Sequence, residues 1–269
     1  FKPDIVLLNP SLGDKALKRD FIYLNICRFF RKKTSVFIHG FNFEYAKNAD
    51  WKWISANLNK ALCIFVLSQD FKNELIRRGI KSDIHLTSTK VPDYFISGFD
   101  LSMRQGKAKN IMYSGRIEKA KGVYETVDTF SILKSQYKDL TLTFVGDGSE
   151  LPMLKQYVEN KKIKDVRFTG RLCGEDFKKE YINADMYLFL SYTEGMPTVV
   201  LEAMIFGLPI FTRKVGGLID FFENGKMGYI SSSLDPAVFA EAMKPYIENP
   251  AKMRSVSILS LIHISEPTR

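Results

Sequence analysis

The sequence contains only three cysteines in 269 residues, Cys27, Cys63 and Cys173. They are odd in number, far apart and set among apolar neighbours, so neither a disulfide framework nor a zinc site is expected, and a reducing cytoplasm suits the chain. No apolar run approaches the roughly 18 residues that a membrane-spanning helix requires. Phe1 begins inside a strand-like pattern rather than a leader peptide, which leads to the expectation of a soluble or peripheral protein. Neither GxGxxG nor GxxxxGKS/T occurs, which removes the main support for ordinary Rossmann oxidoreductases and for P-loop proteins.

What is present is a chain that is 45% hydrophobic and 13% aromatic, enough for a sizeable core, with a formal charge of +9. The basic balance favours an anionic partner such as lipid headgroups or a phosphorylated ligand. A nucleic-acid partner is not expected, because no recognition module or face of basic residues interleaved with stacking aromatics can be found.

Strand-like Ile5 to Leu8 leads through the turn NPSLG to a helical pattern from about Asp14 to Lys33. Its apolar positions fall into two sets, Leu17, Phe21, Leu24 and Ile22, Ile26, Phe29, ringed by Lys15, Lys18, Arg19, Arg28, Arg31, Lys32 and Lys33. Such a helix either packs on a sheet with a solvated basic face or lies on an anionic membrane. The strand Ser35 to Ile38 ends on His39-Gly40, with FNFEY read as a loop behind it. A histidine at a buried strand's carboxyl end suits binding or acid/base work, and equally a structural role.

A helix over 51–60, a strand over 62–67, a helix over 69–78 and a strand over 83–86 continue a βαβα alternation, which implies a parallel sheet covered on both faces. The polar stretch SGFDLSMRQGKAK reads as a linker. A second alternating series follows, with strands at 110–113, 140–145, 166–169, 186–190 and 209–212, and a closing helix from Pro236 to about Ile247. The expected domains are 1–97, a linker at 98–109, and 110–258. Two α/β halves with ligand-type loops on corresponding edges suggest a cleft between them.

The loops of the second half carry the chemistry. Arg116 offers a planar fork of donors and Lys121 a compact charge, the pair a pyrophosphate requires when no metal neutralises it. Gly115, Gly146 and Gly148 keep side chains away where backbone meets ligand. In SYTEGMPTVVLEAMIFG an apolar strand feeds a loop that opens a helix, with Glu194 at the loop's start and Glu202 within the helix. Free amides around Thr198 suit a phosphate, and Glu202 can accept two hydrogen bonds from vicinal ribose hydroxyls.

In their order and spacing, GRIEKAKG, FVGDGSE, VRFTG, EGMPTVVLEA, GLPI and VGGLID resemble the nucleotide-binding half of family 4 glycosyltransferases with the GT-B fold, across about Asn110 to Ile230. The paired glutamates with seven residues between them match that family's signature. DIVLLNPSLG and VFIHG are similar, more loosely, to the end of its acceptor domain. The resemblance implies two Rossmann-like domains, an incomplete first one, and retaining transfer of a sugar from a UDP- or GDP-linked donor to an acceptor hydroxyl.

The same resemblance implies roles. Arg116 and Lys121 would hold the diphosphate, Glu194 would contact the donor sugar and Glu202 the ribose. Gly195, Met196, Pro197, Thr198 and Val199 would serve phosphate or sugar, Arg171 and Leu172 would border the base, and His39 would face sugar or acceptor. No metal and no cofactor besides the donor substrate are implied, in agreement with the absence of a DxD pair. The acceptor would be a sugar or lipid-linked saccharide of cell-envelope or exopolysaccharide synthesis, met at the inner face of the cytoplasmic membrane. A nucleotide-sugar-binding fragment without catalysis and a GT-B epimerase are the alternatives. By the same resemblance the family's first βα unit is expected to be missing ahead of Ile5, and SLIHISEPTR, within the stretch 259–269, reads as a non-native tail.

Overall fold

The computed structural model describes residues 3–41, 43–103 and 108–256. Two compact units divide the chain. One takes the chain up to Thr89 together with Thr193–Pro197 and Val215–Phe221, and the other takes Lys90–Tyr192, Thr198–Lys214 and the chain from Phe222. The proposed tail at 259–269 and part of the expected linker, residues 104–107, lie outside the described residues.

The first unit alternates strands and helices, with short extra elements interposed. Its elements are β1 (Ile5–Leu8), β2 (Ser11–Leu12), α1 (Asp14–Phe29), β3 (Lys33–Ile38), β4 (Gly40–Phe41), α2 (Phe43–Asn48), α3 (Trp51–Leu58), β5 (Cys63–Val66), α4 (Gln69–Arg77) and β6 (Asp83–Leu86). Strands β1-β3-β5-β6 form one parallel sheet in that order, and β2 pairs with β4 in a separate parallel ladder. Helices α3 and α4 start where the sequence supplies caps: Asp50 accepts from the Trp53 amide at 3.0 Å, and Ser68 from the Phe71 amide at 3.2 Å.

Helix α1 is shorter than its charge pattern suggests. Arg31 takes a left-handed φ of 53°, which turns the chain before Lys33 opens β3. The helix buries Leu17, Phe21 and Leu24 in the core and leaves Ile22, Ile26 and Phe29 open, so its two apolar stripes have separate fates. The FNFEY stretch is likewise not a plain loop, since β4 and α2 occupy most of it.

The second unit contains β7 (Asn110–Ser114), α5 (Val123–Gln136), β8 (Thr141–Val145), α6 (Leu151–Asn160), β9 (Val166–Phe168), α7 (Gly174–Asn183), β10 (Met186–Phe189), α8 (Thr198–Ile205), β11 (Ile210–Arg213), β12 (Gly228–Ser231) and α9 (Pro236–Glu248). Its sheet is parallel throughout, in the order β12-β11-β10-β7-β8-β9. From β7 the chain therefore steps outward to β8 and β9, then returns to the other side of β7 to place β10, β11 and β12. The reversal lies between β7 and β10, the topological switch point at whose carboxyl edge open α/β sheets bind ligands.

Every residue of β10 is buried, as expected for a strand covered on both faces. Residues 93–96, which the sequence assigns to the end of the first domain, form a 3-10 turn in the second unit, where Phe95 packs edge-on against Tyr181 and Phe206. Helical backbone also runs over 250–256 and buries Met253 and Val256. Among the described residues no helix is long and apolar enough to cross a membrane.

Candidate functional site

The loop after β7 carries Gly115, Arg116 and Lys121, and it is fastened to the end of β10. The Ala120 carbonyl accepts from the Tyr192 amide at 3.0 Å and from the Ser191 hydroxyl at 3.3 Å. Gly122, left-handed at φ 68°, lies so close to the Leu190 carbonyl that a Cβ there would be 2.0 Å from its oxygen. The backbone beside Lys121 is thereby fixed against the strand that feeds Tyr192. Arg116 is exposed, and its guanidinium bonds Glu118 Oε1 at 2.9 Å.

The three expected ligand-facing glycines have a more local reason to be glycine. A Cβ on Gly146 would come within 1.9 Å of the Gly115 carbonyl oxygen, and one on Gly148 within 2.4 Å of the Ile117 carbonyl oxygen. Gly115 has φ 140° and Gly146 φ 144°, a region that L side chains rarely adopt. Backbone bonds tie the layers together, from Gly115 to Val145 at 3.0 Å, Ile117 to Asp147 at 2.9 Å and Gly146 to Gly170 at 2.9 Å. The loops after β7, β8 and β9 thus stack backbone on backbone. Arg171, exposed, and Leu172 follow directly on that stack at its β9 end.

Glu202 lies on the inner part of α8, half-buried, and accepts from the Tyr181 hydroxyl at 2.8 Å. Burial pushes its carboxyl upward from the ordinary value, and the Tyr181 bond opposes that. Thr198 is exposed at the start of α8, with Val199 partly covered behind it. Nearby, Tyr192 donates to Glu125 Oε1 at 2.5 Å while the Arg213 guanidinium stacks 4.5 Å from the Tyr192 ring centre. Burial lowers the Arg213 pKa, and Tyr192 and Glu125 oppose the shift.

Glu194, Gly195, Met196 and Pro197 belong to the first unit. A Cβ on Gly195 would be 2.0 Å from the His39 carbonyl oxygen, so this loop lies directly on the end of β3. The Gly195 carbonyl in turn accepts from the Gly217 amide at 2.8 Å, and Met196 packs against the core of the unit. The exposed His39 ring has Nε2 3.2 Å from the Ser11 hydroxyl. Asp220, at the end of VGGLID, accepts from the Gln69 amide at 2.8 Å where α4 begins. EGMP, VGGLID and the strand-end histidine, distant in sequence, thus form one backbone stack.

Sequence reasoning missed Tyr181, Ser114, Tyr187 and Asp220. The three hydroxyl groups fall inside a helix and two strands where their residues read as ordinary core, so nothing short of the packing reveals them. Gly122 was visible in GRIEKAKG, yet its contact with Leu190 was not. Among the described residues no three His, Cys, Asp or Glu side chains gather to hold a metal ion.

Residues 102–258 match the family model described as glycosyl transferases group 1. The glycogen synthase of Mycobacterium tuberculosis is 30% identical over 149 residues, covering 55% of this chain and 36% of that protein. The GDP-mannose-dependent alpha-mannosyltransferase of Corynebacterium glutamicum is 24% identical over 244 residues, covering 87% of this chain and 57% of that protein. The chain therefore spans about a third of the length of the first of these relatives and a little over half of the second. Among solved structures, Anabaena HepE in complex with UDP and glucose superposes with a TM-score of 0.77 at 19% identity, over 97% of this chain and 73% of that one. The fold is GT-B, with the two Rossmann-like units expected from the sequence.

Proposed function

We propose that this chain, which belongs to the glycosyl transferases group 1 family, is the donor-binding part of a retaining glycosyltransferase. It takes a sugar from a UDP- or GDP-linked donor and passes it to an acceptor hydroxyl in cell-envelope or exopolysaccharide synthesis. The observation that carries this reading is the joining of the Lys121 loop to the end of β10 at the switch point of the second unit's sheet. That edge presents cations after β7 and a carboxylate on the helix after β10, the two charges a nucleoside diphosphate needs.

In this reading Arg116 and Lys121 bind the diphosphate, and Glu202 accepts from the ribose hydroxyls. As the bond from the anomeric carbon to the phosphate oxygen breaks, its electron pair passes to the diphosphate, and the two cations stabilise the charge that grows there. The acceptor oxygen bonds to the anomeric carbon and gives up its proton to the departing phosphate oxygen. Glu194 and His39 serve the donor sugar and acceptor. The amides at Thr198 and Val199 serve phosphate or sugar, and Arg171 and Leu172 border the base. Side-chain cations take the place of a metal, and no cofactor besides the donor is needed.

Titration of UDP and GDP into the chain and into Glu202→Ala and Lys121→Ala tests the site. Binding of one nucleotide, weakened about tenfold or more by either change, is expected from the loss of a charge-assisted contact. Unchanged affinity in both variants would sink the assignment. A transfer assay with the longer relatives' substrate classes tests the reaction itself.

The same reading extends to a sugar or lipid-linked acceptor met at an anionic membrane surface. It is supported by the open stripe of α1, where Phe29 is 82% and the following Phe30 65% exposed beside Arg28 and Arg31. Interfacial helices combine buried aromatics with electrostatic attraction to anionic lipid. Co-sedimentation with phosphatidylglycerol vesicles, lost in Phe29→Ser/Phe30→Ser, is the expected result; equal recovery with phosphatidylcholine vesicles would argue against it.

A further inference from the structure

Behind Glu202 is a hydroxyl relay drawn from three elements around the switch point. Tyr181 of α7 is fully buried, and its hydroxyl is 2.8 Å from Glu202 Oε2 and 2.8 Å from Ser114 Oγ. Ser114, the last residue of β7, is also 2.9 Å from the hydroxyl of Tyr187 on β10. Tyr187 lies 3.1 Å from the Ser114 carbonyl as well, so its single proton is shared between the hydroxyl and carbonyl oxygens of Ser114.

The proton directions follow from chemistry. An ionised carboxylate only accepts, so the single Tyr181 proton is committed to Glu202. Ser114 must then donate to the Tyr181 oxygen. Bonds aligned in one direction polarise each other and strengthen the terminal donation onto the carboxylate. The Tyr181 ring is fixed as well, stacked on Phe206 at 5.3 Å with Phe177 at 5.1 Å and Phe95 at 5.8 Å edge-on.

We propose that Tyr181 is a positioning residue for nucleotide recognition, holding Glu202 in one orientation and in its ionised form so that its remaining lone pairs meet the ribose hydroxyls. The inference rests on the reading that Glu202 binds the ribose. A glutamate side chain free to rotate would lose that freedom only when the ligand arrives, and Tyr181 has already ordered it. Burial raises the Glu202 pKa and the Tyr181 bond lowers it, so without that bond the carboxyl would take up a proton at higher pH. The groups bearing on it are Tyr181 from α7 and, through Ser114 of β7, Tyr187 of β10. Burial, first of several causes, keeps the Tyr181 phenol protonated well above its usual range.

The test is calorimetric binding of UDP-glucose and of GDP-mannose to the chain between pH 4.5 and 8, since a diphosphate esterified at both ends does not titrate in that window. The affinity of whichever donor binds should fall on the acid side as Glu202 protonates. In Tyr181→Phe that fall should move up by about one pH unit, with binding about tenfold weaker at pH 7. The variant should also discriminate less against the 2′,3′-dideoxy form of the same donor. An unchanged pH midpoint together with unchanged discrimination in a folded Tyr181→Phe overturns the inference. If that variant fails to fold, Ser114→Ala should move the midpoint in the same direction by less, and no movement there overturns it too. Glu202→Gln separates the two claims: wild-type affinity and discrimination in that variant would instead sink the ribose reading on which this one stands.

Discussion

The Gly195 α-carbon faces the His39 carbonyl so closely that a Cβ would lie 2.0 Å from its oxygen. Both partners are backbone, so neither can swing aside, and alanine at this position must push the loop off the end of β3. Gly195→Ala is expected to destabilise the first unit by about 1–3 kcal/mol, the usual cost of overpacking. Trp51 and Trp53, the chain's two tryptophans, both lie on α3 in that unit. Urea unfolding followed by tryptophan fluorescence therefore reads the effect, and a midpoint equal to wild type would show that the loop yields freely.

In the second unit Gly146 combines a forbidden φ of 144° with a Cβ position 1.9 Å from the Gly115 carbonyl oxygen. Gly225, at φ 83°, has nothing within 4 Å of such a Cβ. The two alanine variants therefore separate strain from clash. Gly225→Ala should cost about 1–2 kcal/mol for the left-handed conformation alone. Gly146→Ala should cost about 1–3 kcal/mol more. Amide hydrogen exchange in β7 and β8 measures the difference, and equal protection in both variants would contradict it.

Arg116 is paired with Glu118 at 2.9 Å, and both are solvent-accessible. An exposed pair of this kind contributes at most about 1 kcal/mol, and a diphosphate must displace it to use Arg116. Glu118→Gln should accordingly tighten nucleotide-sugar binding, by no more than about fivefold. Weaker binding in that variant would place Glu118 itself among the ligand contacts.

Glu74 is buried in α4 and bonded by Arg78 Nε at 2.8 Å and by Arg77. Burial alone would raise its pKa, but the two arginines win and hold it below the usual carboxylate range. A carboxyl depressed in the folded state adds stability above its unfolded value, and that contribution disappears as pH falls through the folded one. Glu74→Gln should be less stable by about 1 kcal/mol near pH 7, because the exposed arm of Arg77 limits the gain. The gap to wild type should close below about pH 4 in tryptophan-monitored urea titrations. A gap independent of pH would remove the ion pair as its cause.

The sequence alone determined the alternation of strands and helices, because the period of apolar residues is a local property. Ile5–Leu8 and Asp83–Leu86 have the bounds that pattern predicts. It also displayed the order of the glycine loops and the two glutamates, and with them the family. Where local chemistry and charge competed with packing it misled: Lys33 reads as the end of a basic helix but opens β3, since Arg31 turns the chain with a left-handed φ. Only the tertiary structure decided which loops become neighbours, because strand order is set by crossovers and not by succession. Placing β10 beside β7 fastens Lys121 to the strand that leads to Glu202, and it brings Ser114, Tyr181 and Tyr187 together behind that carboxylate. It likewise decided that Gly146, Gly148 and Gly195 are required by neighbouring backbone, a constraint that no local spacing encodes.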